Sequence, residues 1–199
     1  MPYDLKKDLK QFYAPKNTDW ALVEVPEQRF LAIDGQGNPN TAESYKRAVE
    51  ALYSFAYTIK MAAKQRGEDF VVGPLEGLWW ADDYAAFTVR AKDSWQWTML
   101  IAQPPWVGQA EVDEAREAVR HKKKIDAPVR LETLTEGKCA QALHVGSYDD
   151  EGPLLARLHD EYLPEQGLKP TGLHHEIYLG DPRRVEPARL KTVLRQPVG

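Results

Sequence analysis

A single cysteine, Cys139, excludes an internal disulfide. It opens a strand-like run with no base nearby, which fits a buried structural thiol better than a nucleophile. No stretch approaches the roughly 18 apolar residues of a membrane span. Met1-Pro2-Tyr3-Asp4-Leu5-Lys6-Lys7-Asp8 carries no apolar signal core. A soluble cytoplasmic protein is the expectation. A cationic surplus is missing too: the net charge is −4 and the pI about 5.8, which argues against nucleic-acid partners. The one basic run, His121-Lys122-Lys123-Lys124, follows a helical stretch, where cations complement the helix dipole. No glycine-rich phosphate loop occurs, because proline interrupts Gly35-Gln36-Gly37-Asn38-Pro39 and makes it a turn. Metal-ligand spacing is also lacking. His174 and His175 are strand neighbours and point apart, and no motif joins His144 to His174 and Glu176. Neither metal nor cofactor is expected.

What the chain does have is aromatic surface. It holds six tryptophans and nine tyrosines, with Trp79, Trp80, Trp95 and Trp97 close together and Trp106 just beyond. Buried indoles and phenols need partners for their polar tips, so an all-aliphatic core would be simpler. Near an isolated acid, such a cluster suggests the wall of a pocket for a flat or cationic ligand. The acid is in His174-His175-Glu176-Ile177-Tyr178-Leu179, which is bounded by Pro170-Thr171-Gly172 and Gly180-Asp181-Pro182 and reads as a strand. Alternation puts His174, Glu176 and Tyr178 on one face and His175, Ile177 and Leu179 on a core face. Either the first face is wet and Glu176 is an ordinary surface residue, or Glu176 sits in a cavity that uses its charge.

The 199 residues, 43% of them hydrophobic, suit one large domain or two small units sharing a core. The order of elements repeats. Arg29 to Ile33 reads as a strand and Asp34 to Pro39 as a turn. A long helix follows, capped by Asn40 with Glu43, striped by Tyr45, Ala48, Leu52, Phe55, Ile59 and Ala62, and ended by Gly67. Strands Leu75 to Trp80 and Trp95 to Ile101 join through Asp82-Asp83-Tyr84, and Pro104-Pro105 stops the second. A connecting helix runs from Gln109 to about His121, with Val112, Ala115 and Val119 inward. Then come a strand from Cys139 to Val145 and a helix from Pro153 with Leu154, Leu155, Leu158 and Tyr162 inward, closed by Gly167. Strands His174 to Leu179 and Leu190 to Arg195 follow. The expected fold is α+β: duplicated strand-helix-strand-strand units with pseudo-twofold symmetry, antiparallel sheets and a central ligand groove. Residues 1–199 form a single domain, with a first repeat over 19–105, a connecting helix and linker over 106–138, and a second repeat over 139–199. Helices would cover one side of the sheets and leave the other for the groove. Aligning the two final hairpins sets Trp79 against Tyr178 and Gly77 against Glu176.

Three stretches carry a family resemblance. Leu143-His144-Val145-Gly146-Ser147-Tyr148, His174 to Leu179 followed by Asp181-Pro182, and Leu190-Lys191-Thr192-Val193-Leu194-Arg195-Gln196-Pro197 resemble motifs of the GyrI-like small-molecule-binding domains. These are related to the effector domains of multidrug-sensing transcription regulators. The resemblance covers about Asp19 to Pro197. Ser147 stands where the family usually has proline, and the last stretch is distinctive of a stand-alone branch without a DNA-binding domain. Only about 18 residues come before Asp19. The resemblance implies an aromatic pocket with a buried glutamate, here Glu176, that answers the charge of lipophilic cations. For the stand-alone branch it implies hydrolysis of cyclopropane-containing DNA-alkylating compounds, with water opening the strained ring.

The candidate roles follow. In an aromatic cage Glu176 should have a raised pKa, which suits a general base that orients or deprotonates water. Tyr178 would donate to a developing oxyanion or line the wall. Trp79 and Trp97 are stacking surfaces, and Trp80 points to the core. Tyr148 caps the pocket or anchors its loop. Tyr53 and Tyr57 lie off the helix stripe, within reach of the groove or exposed, and His174 shares the Glu176 face. Three functions stay open: a module binding lipophilic aromatic, including cationic, compounds for xenobiotic protection; a cyclopropanoid hydrolase on the same pocket; and an inhibitor of a partner enzyme. Oligomeric state is not legible.

Overall fold

The computed structural model describes residues 1–80 and 91–199. Eight strands form one continuous antiparallel sheet: β1 (Ala21–Val25), β2 (Gln28–Gln36), β3 (Leu75–Trp80), β4 (Gln96–Gln103), β5 (Arg130–Leu134), β6 (Gly137–Val145), β7 (His174–Tyr178) and β8 (Lys191–Pro197). Their order is β1-β6-β8-β7-β3-β4-β2-β5. β3 and β7 therefore meet at the centre, and Gly77 lies directly opposite Glu176. Trp79 faces His174 across this seam, not Tyr178, which faces Leu75. The turn expected at Asp82-Asp83-Tyr84 lies outside the described residues.

Strand alternation assigns the two faces. On one, Leu31, Ile33, Trp79, Trp97, Met99 and Ile101 pack against α3 (Glu43–Gln65). The predicted helix stripe is there: Ala48, Leu52, Phe55 and Ile59 are all buried. α4 (Gln109–Lys123) lies against α3 with Val112, Ala115 and Val119 inward. On the same face of the sheet's other half, Ala140, Ala142 and Leu194 pack under Leu158 and Leu163. Those two leucines belong to a broken helix: α5 (Gly152–Arg157), a π-helical turn over Leu158–Tyr162, and α6 (Leu163–Gln166), closed by Gly167 at φ 66°.

The reverse face is covered by two short helices, α1 (Leu5–Asp8) and α2 (Lys10–Tyr13). They place Leu5, Phe12 and Tyr13 over Phe30, Leu78, Leu100, Ile177 and Val193. This corrects the expected location of the groove. The helix-free side, where the groove was expected, is filled by the N-terminal residues, while α3 and the α5–α6 pair pack on the opposite face of the two halves of the sheet. Two further corrections concern local structure. α3 begins at Glu43 behind Ala42, with no side-chain cap, because Asn38 accepts the Thr41 and Ala42 amides in a preceding turn. The 106–138 segment is more than helix and linker, since β5 pairs with β2 there.

Among the described residues, no helix is long and apolar enough to cross a membrane.

Candidate functional site

At the sheet centre the side chain of Glu176 is 15% exposed and that of His174 18%. Neighbours two apart on a strand share a face, and both such neighbours turn toward the carboxylate. His174 Nε2 lies 3.0 Å from Oε1, and Tyr178 Oη donates to Oε2 at 2.8 Å. Tyr178 Oη in turn accepts from Trp79 Nε1 at 2.8 Å. That reach depends on Gly77: a Cβ there would sit 2.7 Å from Trp79 Nε1, so the missing side chain lets the indole lean across the seam.

Aromatic rings extend outward from this chain of hydrogen bonds. Tyr45, from the first turn of α3, stacks on Trp79 at 6.4 Å. Trp95 meets Trp79 edge-on at 5.8 Å, and Tyr148 meets Tyr178 edge-on at 5.6 Å. Tyr148 is held by the turn before α5, where Gly146 has φ 143° and His144 Nε2 contacts the Ser147 carbonyl oxygen at 2.9 Å. The arrangement is a nearly enclosed carboxylate beside a group of packed aromatic rings, of which Trp79 is only 6% exposed.

The electrostatics reverse one expectation. Burial pushes the Glu176 carboxyl up, but the bond and charge from His174, the Tyr178 hydroxyl and the His175 charge outweigh it and hold the pKa below its ordinary value. Glu176 is therefore a stable anion, not a carboxyl tuned toward neutral pH. Burial, with the charge of Glu176 next in size, drives the Tyr178 phenol well above its usual range. Its proton is committed to Glu176 and not free for an oxyanion. Burial and nearby Glu151 and Glu176 push Tyr148 to about 12.

Of the predicted residues, the structure brings together Glu176, His174, Tyr178, Trp79 and Tyr148. It does not bring Trp97 to the surface. That indole is fully buried, donates to the Gly37 carbonyl, and lies under Tyr45 and against Gly35. It supports the wall from behind and offers no stacking surface. Tyr53 and Tyr57 stack on each other at 6.3 Å, with Tyr57 51% exposed on the outside of α3. Tyr53 is close enough to Asp181 and Arg183 to feel their charges, which places it toward the β7–β8 connection. Trp80 packs on the reverse face and donates to Gln96. Tyr45 falls on the core stripe of the helix, and its periodicity gives no hint that the seam lies beside it; Trp95 belongs to the tryptophan cluster expected to form a pocket wall and stands beside Trp79.

Among the described residues, no group of three or more His, Cys, Asp or Glu side chains is placed to hold a metal ion. Cys139 is fully buried, and burial with the charge of Glu136 raises its thiol to about 12, so it stays protonated and inert.

The model of the GyrI-like small molecule binding domain matches residues 19–198. An uncharacterised conserved protein from Listeria innocua is 41% identical, with 99% of this chain and 100% of that chain covered and a TM-score of 0.91. A hydrolase from the same organism is 40% identical over the whole of both chains, with a TM-score of 0.89. The C-terminal domain of EcmrR is 13% identical over 91% of this chain and 97% of its own, with a TM-score of 0.59, a likeness of fold alone. No curated protein matches the chain.

Proposed function

The chain belongs to the GyrI-like small molecule binding domain family, and on that premise we propose that it binds flat, lipophilic aromatic compounds, cationic ones among them, in the cleft over β3 and β7. Xenobiotic protection is the role this chemistry serves. The observation that carries the reading is the ionised Glu176, held by His174 and Tyr178 at the foot of walls made by Tyr45, Trp79, Trp95 and Tyr148. A carboxylate has about four lone-pair sites, and two donors leave capacity for a ligand. The aromatic faces supply dispersion and attract cations, while the partly desolvated carboxylate answers their charge. Tryptophan fluorescence should report binding directly, since Trp79 and Trp95 form the wall. Micromolar affinity, about −8 kcal/mol, is expected for flat aromatic cations. A panel of such dyes that leaves the emission unchanged at about 100 μM, two decades above that affinity, contradicts the reading.

A second reading is favoured by the 40% identity over full length to a hydrolase. In it Glu176 orients a water toward an electrophilic ring carbon of a cyclopropane-bearing substrate. With its pKa held down, Glu176 is a weak proton acceptor and acts chiefly by placing the water. Glu176→Gln should then spare the binding of a neutral substrate while turnover falls by about 10²-fold, the lower end for such a group. Equal turnover in the variant and the wild type removes Glu176 from that mechanism.

A further inference from the structure

Lys92 stands in the 3₁₀ turn Lys92–Ser94 that leads into β4. Lysine is ordinarily a surface residue, yet this side chain is only 21% exposed. Its ammonium lies 5.8 Å from the centroid of the Trp95 ring and 3.5 Å from the Asp149 carboxylate. Each partner belongs to a different wall of the cleft. Trp95 meets Trp79 edge-on on the β3 side, and Asp149 follows Tyr148, which meets Tyr178 on the β7 side. The ion pair therefore joins the turn before β4 to the turn that carries Tyr148, linking the Trp95 and Tyr148 sides. The face of an indole is also where a desolvated cation is most strongly attracted.

We propose that Lys92 is the charge-selecting residue of the cleft: its ammonium, clasped by Asp149, takes the cation position on Trp95, so a cationic ligand meets a like charge that a neutral ligand of the same shape does not. This rests on the binding reading above and deepens it. Glu176 at the floor favours cations, and Lys92 at the rim opposes them. The balance tunes the cleft toward flat compounds with weak or delocalised charge. Asp149 is 68% exposed, so its pair with Lys92 is a solvent-screened one.

The test compares N-methylacridinium with acridine, neutral at pH 7.5, by tryptophan quenching in the wild type, K92Q and K92R. K92Q should tighten N-methylacridinium by about 5- to 10-fold, the scale of one partly screened charge near the ligand, and leave acridine within about 2-fold. K92R keeps the cation and should keep the wild-type ratio of the two affinities. The ratio in the wild type should also move with ionic strength more than in K92Q. An unchanged ratio in K92Q, with both dyes bound, overturns the assignment of Lys92 and leaves the cleft standing. Failure of both dyes to bind either wild type or K92Q overturns the binding reading itself, and the role of Lys92 with it.

Discussion

Both ring nitrogens of His175 face carboxylates: Nδ1 lies 2.8 Å from Glu136 and Nε2 2.9 Å from Glu76. A neutral imidazole donates once, so satisfying both requires the imidazolium. The group is wholly enclosed on the reverse face of β7. Arg195 bonds Glu136, Gln141 and the Phe12 carbonyl, and Tyr13 donates to Glu76. Burial pushes the His175 pKa down, but Glu136 and Glu76 outweigh it and raise it to about 9. A raised folded-state pKa stabilises fully below the unfolded value near 6.5 and loses that contribution as pH climbs through about 9. Unfolding free energy should therefore fall between pH 6.5 and 9 by on the order of 3 kcal/mol, measured by urea denaturation, and His175→Gln should flatten that slope. A wild-type profile level across this window contradicts the imidazolium. At this scale the sequence showed Glu176 through its alternation beside Tyr178, but it hid the company His175 keeps. Its partners lie 99 and 39 residues away. The sign of the Glu176 shift was readable and misjudged. His174 and Tyr178 sit two residues either side on the same face, and a shared face brings donors as readily as it brings aromatic walls.

The elements that span the sheet were legible because they are long and strongly patterned. β3, β4, β6, β7, β8 and both long helices fall close to their expected bounds. β1 and β5 were not seen. Each has five residues and pairs on one edge only, and neither carries a buried run long enough to stand out. The four-residue helices α1 and α2 span barely one turn, too short for an apolar stripe to recur. Across the π-helical turn between α5 and α6, Tyr162 packs partly buried against the core as expected, and Leu163, which was not singled out, is fully buried beside it. The packing of β2 on β4 makes its own prediction. A Cβ on Gly35 would fall 2.0 Å from the Trp97 ring, and that ring has no free direction because it is enclosed and bonded to Gly37. Gly35→Ala should cost about 1–3 kcal/mol, read as a lower denaturant midpoint, and should displace the Tyr45 wall that rests on Trp97. Unchanged stability would mean that Trp97 can retreat, contrary to its packing.

Seen as a whole, the molecule has one sheet with two differently used faces. The reverse face is closed by the N-terminal helices and a buried ionic network, which fixes β7 and β3 from behind. The other face carries α3 over one half and α5–α6 over the other, leaving the β3–β7 seam between them. This arrangement sets Glu176 and the rings of Tyr45, Trp79, Trp95 and Tyr148 together at the seam on the helix-bearing face. The repeated order of elements gave no sign that the expected groove face is covered, because the covering segment comes from short helices with no sequence signal of their own. The most direct measurement is the dissociation constant of N-methylacridinium and of acridine, by calorimetry at pH 7.5, for wild type and Glu176→Gln. The account predicts that Glu176→Gln weakens the cation by about 10- to 100-fold, the worth of one partly desolvated charged contact, and leaves acridine within about 2-fold. Equal changes for the two ligands, or none for either, would contradict a cleft built around the Glu176 anion.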